Sequence, residues 1–245
     1  FNEIKSIEDN NFRFKEEVDP SVYVEEVAEF MQVYPQKDYL TGCDLMWDFD
    51  DKIITDIQNS LTPDKANIML ISKTLSSECP EKEKWFETHY CVQDIDLELN
   101  NCLKDLNHDL HLPEVNTFIA EDFYIYSSEE VRSKMPVIIH ECAGGKVWHK
   151  QDDTFFLPKA SFNFYFKSPL MNLNAKNMVL AEIFALLLDY DLKDVAYAAD
   201  MAGLSYDIVV DQCGILMNFA GFNDKLHLLF QKVIKQMSAF EVKET

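Results

Sequence analysis

From residue 159 to residue 238 the apolar residues alternate between a period of two and a period of about 3.6, and this succession constrains the fold more than any short motif in the chain. "KASFNFYFKSP" sets Phe162, Phe164 and Phe166 against Asn163, Tyr165 and Lys167, so one face of a strand is expected to be core. "NAKNMVLAEIFALLLDY" predicts a long helix with Leu180, Ile183, Phe184, Leu187 and Leu188 facing inward. "DLKDVAYAADMAG" predicts a second helix ending at Gly203, read as its C′ glycine. Two strands follow, "LSYDIVV" and "GILMNFAG", with "DQC" between them. The last helix takes Asn223 as its cap and Leu226, Leu229, Phe230, Val233, Ile234 and Met237 as its stripe. A strand, two helices, a hairpin and a helix make a two-layer α+β half-domain.

The upstream part is also mixed. Asp19-Pro20 reads as an N-cap followed by proline at the first helical position, and Val24, Val27, Phe30, Met31 and Tyr34 recur at helical spacing until Pro35. Ile53, Ile54, Ile57 and Leu61 predict another helix, and the turn "TPDKAN" leads into "IMLIS", read as a short buried strand. "ECPEKEKWFETHYCVQDI" reads as a loop closing with a strand, and "DLELNNCLKDLNHDLHLPE" as a helix fraying before Pro113. The stretch 113–135 has no clear period. The expected fold class is α+β: two partial two-layer domains, each a β-sheet with helices packed on one face.

Two histidine clusters raise the question of a metal. In "IIHECAGGKVWHKQDD", residues 138–153, His140, Glu141, Cys142 and His149 are ligand types. The helical motif H-E-x-x-H needs its second histidine four residues on, and Gly144 stands there. Ala143-Gly144-Gly145 instead suits a tight reversal between two short strands, in which His140 and Glu141 point to opposite faces. In "HDLHLPEV", His108, His111 and Glu114 approach the inverted motif H-x-x-E-H, but Val115 replaces the last histidine and Pro113 opposes the helix. Neither cluster is read as a metal site. No catalytic, cofactor-binding or metal-ligating residue is assigned.

Composition narrows the partners. With 43 acidic against 22 basic residues the net charge is −21, and the arginines are Arg13 and Arg132 alone. Nucleic acid is not an expected partner, because phosphate binding needs basic surface. Basic peptides and proteins are, since an acidic surface speeds their encounter. No apolar run reaches the roughly 20 residues of a membrane span. The start "FNEIKSIEDNNF" lacks a basic or apolar leader region, and a chain beginning with Phe is expected to be a piece of something longer. Cys43, Cys79, Cys91, Cys102, Cys142 and Cys213 show no C-x-x-C spacing, which fits reduced thiols in a cytosolic-type protein. The expected location is the cytoplasm, with a cell-surface or non-classically secreted form left open.

The runs "DPSVYVEEVAEFMQVYPQKDYLTGCDLMWDFD", "EKWFETHYCVQDI", "DLHLPEVNTFIAEDF", "KVWHKQDDTFFLPKASFNFYFKSP" and "AYAADMAGLSYDI" with "GFNDK" span essentially the whole chain. Together they resemble the nardilysin-like branch of the insulin-degrading enzyme (pitrilysin) family of inverted-zincin metallopeptidases. The resemblance implies an internal fragment of a zinc metalloendopeptidase with LuxS/MPP-like architecture, four related α+β domains enclosing a chamber. Residues 1–135 would be the later part of the second domain, 136–160 the interdomain connection or hinge, and 161–245 the first part of the third domain. Trp148, Phe155 and Phe156 would be anchors between domains. The family's zinc motif would lie upstream, so zinc belongs to the parent enzyme and this fragment would be inactive alone. The implied role is a non-catalytic chamber wall facing basic or dibasic peptides, with the remaining domains of the parent as partners. The alternative is an acidic interaction module that binds a basic protein without catalysis.

Overall fold

The structure is a computed structural model that describes residues 1–62, 65–94, 101, 110–126, 135–152 and 154–242. In chain order its elements are α1 (Asn2–Arg13), α2 (Pro20–Val33), α3 (Asp51–Ser60), a 3₁₀ turn at Lys73–Ser77, β1 (Glu81–Lys82), β2 (His89–Tyr90), β3 (Val137–Cys142), β4 (Gly145–His149), β5 (Lys159–Lys167), α4 (Ala175–Asp191), α5 (Lys193–Met201), β6 (Leu204–Asp211), β7 (Gly214–Phe222) and α6 (Asn223–Ser238). They form two compact units, one of residues 1–47 with 115–245 and one of residues 48–114.

The first unit is built on an antiparallel sheet of order β5-β7-β6. Strand β7 is central, so its alternate residues Ile215, Met217 and Phe219 are buried while both edges remain paired. Phe162 of β5 stacks on Phe219 at 5.0 Å between ring centres and meets Phe230 edge-on at 5.2 Å. Helices α4, α5 and α6 close the same face with Leu188, Ala199, Leu226, Leu229 and Val233. Each fully buried Leu, Val or Phe contributes about 1.5–3 kcal/mol relative to exposure. This is the two-layer α+β arrangement that the alternating periods predict.

The inward side of α4 differs from the expectation. Ala181, Ala185 and Leu188 are buried with Phe184 packed beside them, whereas Leu180, Ile183 and Leu187 are exposed. The helix is apolar all round, so periodicity leaves its orientation open; the small alanines allow the close approach to the core that the leucines would block. The second correction concerns α6. Its N-cap is Phe222, not Asn223, and the Asn223 amide donates to the Tyr124 carbonyl at 3.2 Å. The Asn223 backbone N–H is instead taken by the Pro158 carbonyl at 3.0 Å.

Gly203 is the expected C′ residue, at φ +73° after the last turn of α5. It faces Gly221 (φ +136°), where an added Cβ would lie 2.4 Å from the Gly203 carbonyl oxygen. Two glycines let the start of β6 press against the end of β7.

Residues far upstream complete this unit. Phe14, just after α1, packs against Phe123 at 4.9 Å and Phe222 at 5.4 Å, with the Arg13 guanidinium 5.0 Å from the Phe123 ring centre. The Asn10 amide donates to the Ala120 carbonyl at 3.0 Å. The stretch from residue 116, without period in the sequence, inserts Phe118 (1% exposed) and Ala120 into the core. It is pinned by the Asn116 amide to the Ala198 carbonyl and by the Asp224 carboxylate, which accepts from the N–H groups of Glu121 and Asp122. The unit thus draws residues from before and after the 136–160 segment.

Helix α2 begins as predicted: Asp19 accepts from the Ser21 N–H at 2.8 Å, and the chain turns extended at Tyr34 before Pro35. Val24 and Met31 are exposed, so the expected apolar face is only half covered, by Val27, Phe30 and Tyr34.

In the second unit α3 is capped by Asp50, which accepts from the Ile53 N–H at 3.0 Å. Ile53, Ile54, Ile57 and Leu61 are exposed within this chain. "IMLIS" is not a strand: residues 68–72 have no paired neighbour among the described residues, and Met69, Leu70 and Ile71 are exposed. A strand needs a partner for its backbone groups, and β1 and β2 pair with each other instead. The 81–90 stretch therefore holds a short hairpin of two strands rather than one closing strand. Pro63 and Asp64 of the expected turn, and residues 96–100 and 102–109 of the helix expected before Pro113, lie outside the described residues, while residues 110–114 are not helical.

Candidate functional site

The histidine-rich stretch folds as the hairpin of β3 and β4, reversing at Ala143-Gly144 as the glycines predict. Its register pairs Val137 with His149, Ile138 with Trp148, His140 with Val147 and Glu141 with Lys146, with an irregularity between Ile138 and His140. Lys146 and Glu141 form an ion pair at 2.8 Å. Being half exposed on both sides, that pair adds at most about 1 kcal/mol. His140 and His149 therefore sit at separate register positions on opposite strands. A zinc ion needs three or four converging Cys, His or carboxylate ligands. Among the described residues no group of three or more His, Cys, Asp or Glu is placed to hold a metal, so the residues described do not fit that ion. His108 lies outside the described residues, and His111 turns its Nδ1 to the Leu112 carbonyl at 2.9 Å.

Trp148, Phe155 and Phe156 are exposed in this chain. Phe156 adopts φ +52°, a conformation that costs a bulky side chain of the order of 1–3 kcal/mol unless its surroundings hold it. Gln151 donates to the Tyr126 carbonyl at 2.8 Å, and Asp152 accepts from the Thr154 N–H at 3.0 Å.

Sequence reading missed two clefts in the first unit that carry acidic and tyrosine side chains. Asp189, Asp200, Tyr197, Tyr206 and Ser205 line one of about 310 Å³. The Tyr206 hydroxyl donates to Asp189 at 3.0 Å, and burial together with that carboxylate pushes the phenol above its ordinary value. The other, of about 330 Å³, lies beside the start of α6 and is lined by Asp122, Tyr124, Tyr126, Asn223, Asp224 and His227. Burial alone would raise Asp224, but the Glu121 and Asp122 N–H groups and Lys225 outweigh it and hold the carboxyl low. Carboxylates beside tyrosine rings offer a cation both charge pairing and a π face. The acids of each cleft come from separate segments, so the sequence carries no local signal for them.

The two-layer α+β fold of the first unit recurs in known proteins, and comparison with them shows the family. The chain belongs to the peptidase M16 family: residues 12–245 match the profile described as the middle or third domain of peptidase M16. It is 41% identical over 243 residues to nardilysin of Mus musculus, covering 98% of this chain and 21% of that protein. It is 35% identical over 246 residues to the insulin-degrading enzyme of Bos taurus, covering 100% of this chain and 24% of that protein. The crystal structure of pitrilysin shares the fold with a TM-score of 0.80 at 23% identity, over 99% of this chain and 26% of that one. The chain thus spans about a fifth to a quarter of the length of these proteins.

Proposed function

We propose that this chain is a non-catalytic stretch of the substrate-chamber wall of a nardilysin-like zinc metalloendopeptidase that cleaves peptides at basic or paired basic residues. The observation that carries the reading is the match of residues 12–245 to the family's middle or third domain. The charge of −21 supports basic substrates, because a wall of one sign concentrates peptides of the other. The remaining domains of the parent are the proposed neighbours of α4, whose exposed Leu180, Ile183, Leu186 and Leu187 suit a helix covered on both sides. Residues 136–160 are the proposed connection between domains, supported by an exposed hairpin. The cytoplasm is the proposed location, in keeping with the unpaired cysteines among the described residues.

The test compares the intact parent protein with the 245-residue chain on a fluorogenic peptide carrying paired arginines. The parent should cleave it, lose activity to a chelator and show a KM that rises with salt; the chain alone should leave it whole. Zinc-dependent cleavage by the chain alone would overturn the non-catalytic reading. Tight binding of a basic protein that ignores salt would favour the interaction module instead.

A further inference from the structure

The hairpin of the second unit holds its tip in a defined shape. The Glu83 carboxylate accepts from the Trp85 N–H at 2.6 Å and from the Phe86 N–H at 2.7 Å, while the Glu83 N–H donates to the Thr88 carbonyl at 2.9 Å. Lys82 pairs with Glu87 at 2.7 Å, and Glu87 takes the turn at φ +57°. Trp85 and Phe86, 78% and 88% exposed, are thereby presented side by side. At the neck, one residue beyond each strand or its flanking proline, the Cys79 thiol donates to the Cys91 sulfur across 3.7 Å. The Gln93 amide donates to the same sulfur at 3.7 Å. Both cysteines are half-buried, unlike the exposed Cys43, Cys142 and Cys213.

We propose that Cys79 and Cys91 are a reversible thiol–disulfide pair that fastens the neck of the hairpin presenting Trp85 and Phe86. A disulfide needs its sulfurs at about 2.05 Å, and a move of less than about 2 Å is within the reach of side-chain rotation. The oxidant is a low-molecular-weight disulfide of the glutathione class. The Cys91 thiolate attacks one of its sulfurs, forming a mixed disulfide and releasing one small thiol. Cys79 then loses its proton, attacks the Cys91 sulfur and expels the second small thiol. Two protein thiols and one small disulfide become one protein disulfide and two small thiols, so atoms and electrons balance. Burial and the neighbouring Cys91 sulfur push the Cys79 thiol up, which suits the second, resolving role. Closing the neck removes freedom from the stem and holds the two rings in one presentation, the state that binds a partner at least entropic cost.

The experiment treats the intact protein with oxidised glutathione, quenches with acid, alkylates the remaining thiols and maps the cysteines by mass spectrometry. The expected product joins the Cys79 and Cys91 peptides with a mass two hydrogens below the sum of the thiol forms. Both sites lose alkylation together and regain it after dithiothreitol, while Cys43, Cys142 and Cys213 are found only as alkylated or singly glutathionylated thiols. In Cys91→Ser, Cys79 should carry glutathione and no internal cross-link. Alkylation of Cys79 and Cys91 equal to that of Cys43 in the oxidised wild type, or one glutathione on each of them, would overturn the proposal.

Discussion

The Tyr165 hydroxyl lies 2.8 Å from each carboxylate oxygen of Asp211, joining the edge strand β5 to the end of β6 across the intervening β7. Asp211 also accepts from the N–H groups of Cys213 at 2.7 Å and Gly214 at 2.9 Å, so one side chain organises the β6–β7 turn and a cross-sheet tie. The Tyr165 hydroxyl first, then the Cys213 N–H, hold the Asp211 carboxyl below its ordinary value.

A depressed folded-state value makes the Asp211 contribution present above the unfolded value of about 3.9 and lost as pH falls through the lower folded value. Asp211→Asn should therefore lower the urea midpoint near neutral pH, and the gap to wild type should shrink as the pH drops below about 4. A gap that is constant through acid would show that the charge contributes nothing. The same pair pushes the Tyr165 phenol up. Alkaline absorbance titration of Tyr165→Phe should therefore lack one of the late-ionising tyrosines.

The two sides of α4 should respond differently in the 245-residue chain. Leu188→Ala removes a fully buried side chain and should cost about 2–5 kcal/mol. Leu186→Ala, at a position 71% exposed, should stay within about 0.5 kcal/mol. Denaturant midpoints check both. In the intact parent the Leu186 change should become costly if the remaining domains cover that side.

Gly221→Ala should destabilise the sheet by about 1–3 kcal/mol from its backbone conformation alone. The clash of the new methyl with the Gly203 carbonyl adds to this. Gly145→Ala, where an added Cβ meets nothing within 4 Å, is the control and should leave the thermal midpoint nearly unchanged.

Amides of β3 and β4 should exchange with solvent faster than those of β7, because the hairpin has few buried contacts and β7 is paired on both edges. Hydrogen exchange on the intact parent should show this contrast, reduced when a peptide substrate is bound. Equal protection in the two places would remove the hinge reading of 136–160.

The 245-residue chain should bind basic peptides weakly, with an affinity that falls as salt is raised. Exposed charges are screened beyond a Debye length of about 8 Å at physiological ionic strength. Fluorescence anisotropy across a salt series reads the effect, and a salt-independent affinity would point to apolar recognition instead.

What the sequence made legible follows from what its local patterns encode. Pro20, Gly203 and the Ala143-Gly144 reversal act through their own backbone chemistry, so Asp19, the α5 end and the β3–β4 hairpin stand where the pattern puts them. The stripe of α6 was legible because its opposite side is polar. The orientation of α4 was not, since a helix apolar on every side carries no directional signal. Phe118 and Ala120 were missed because an irregular segment buries side chains without a period. "IMLIS" has strand composition without a partner strand among the described residues, and Asn223 spends its amide on Tyr124 rather than on its own helix. The cleft acids Asp189 and Asp200 meet only through tertiary structure.

The contact of Phe14 with Phe222 also sets a schedule for synthesis. Roughly 200 residues separate the two rings, which a ribosome moving at about 5–20 residues per second takes some 10–40 s to make. During that interval α1 has been released without the strand end that receives Phe14. The nascent chain must therefore carry α1 with Phe14 only partly covered until β7 emerges, so holdase chaperones are expected to meet this segment.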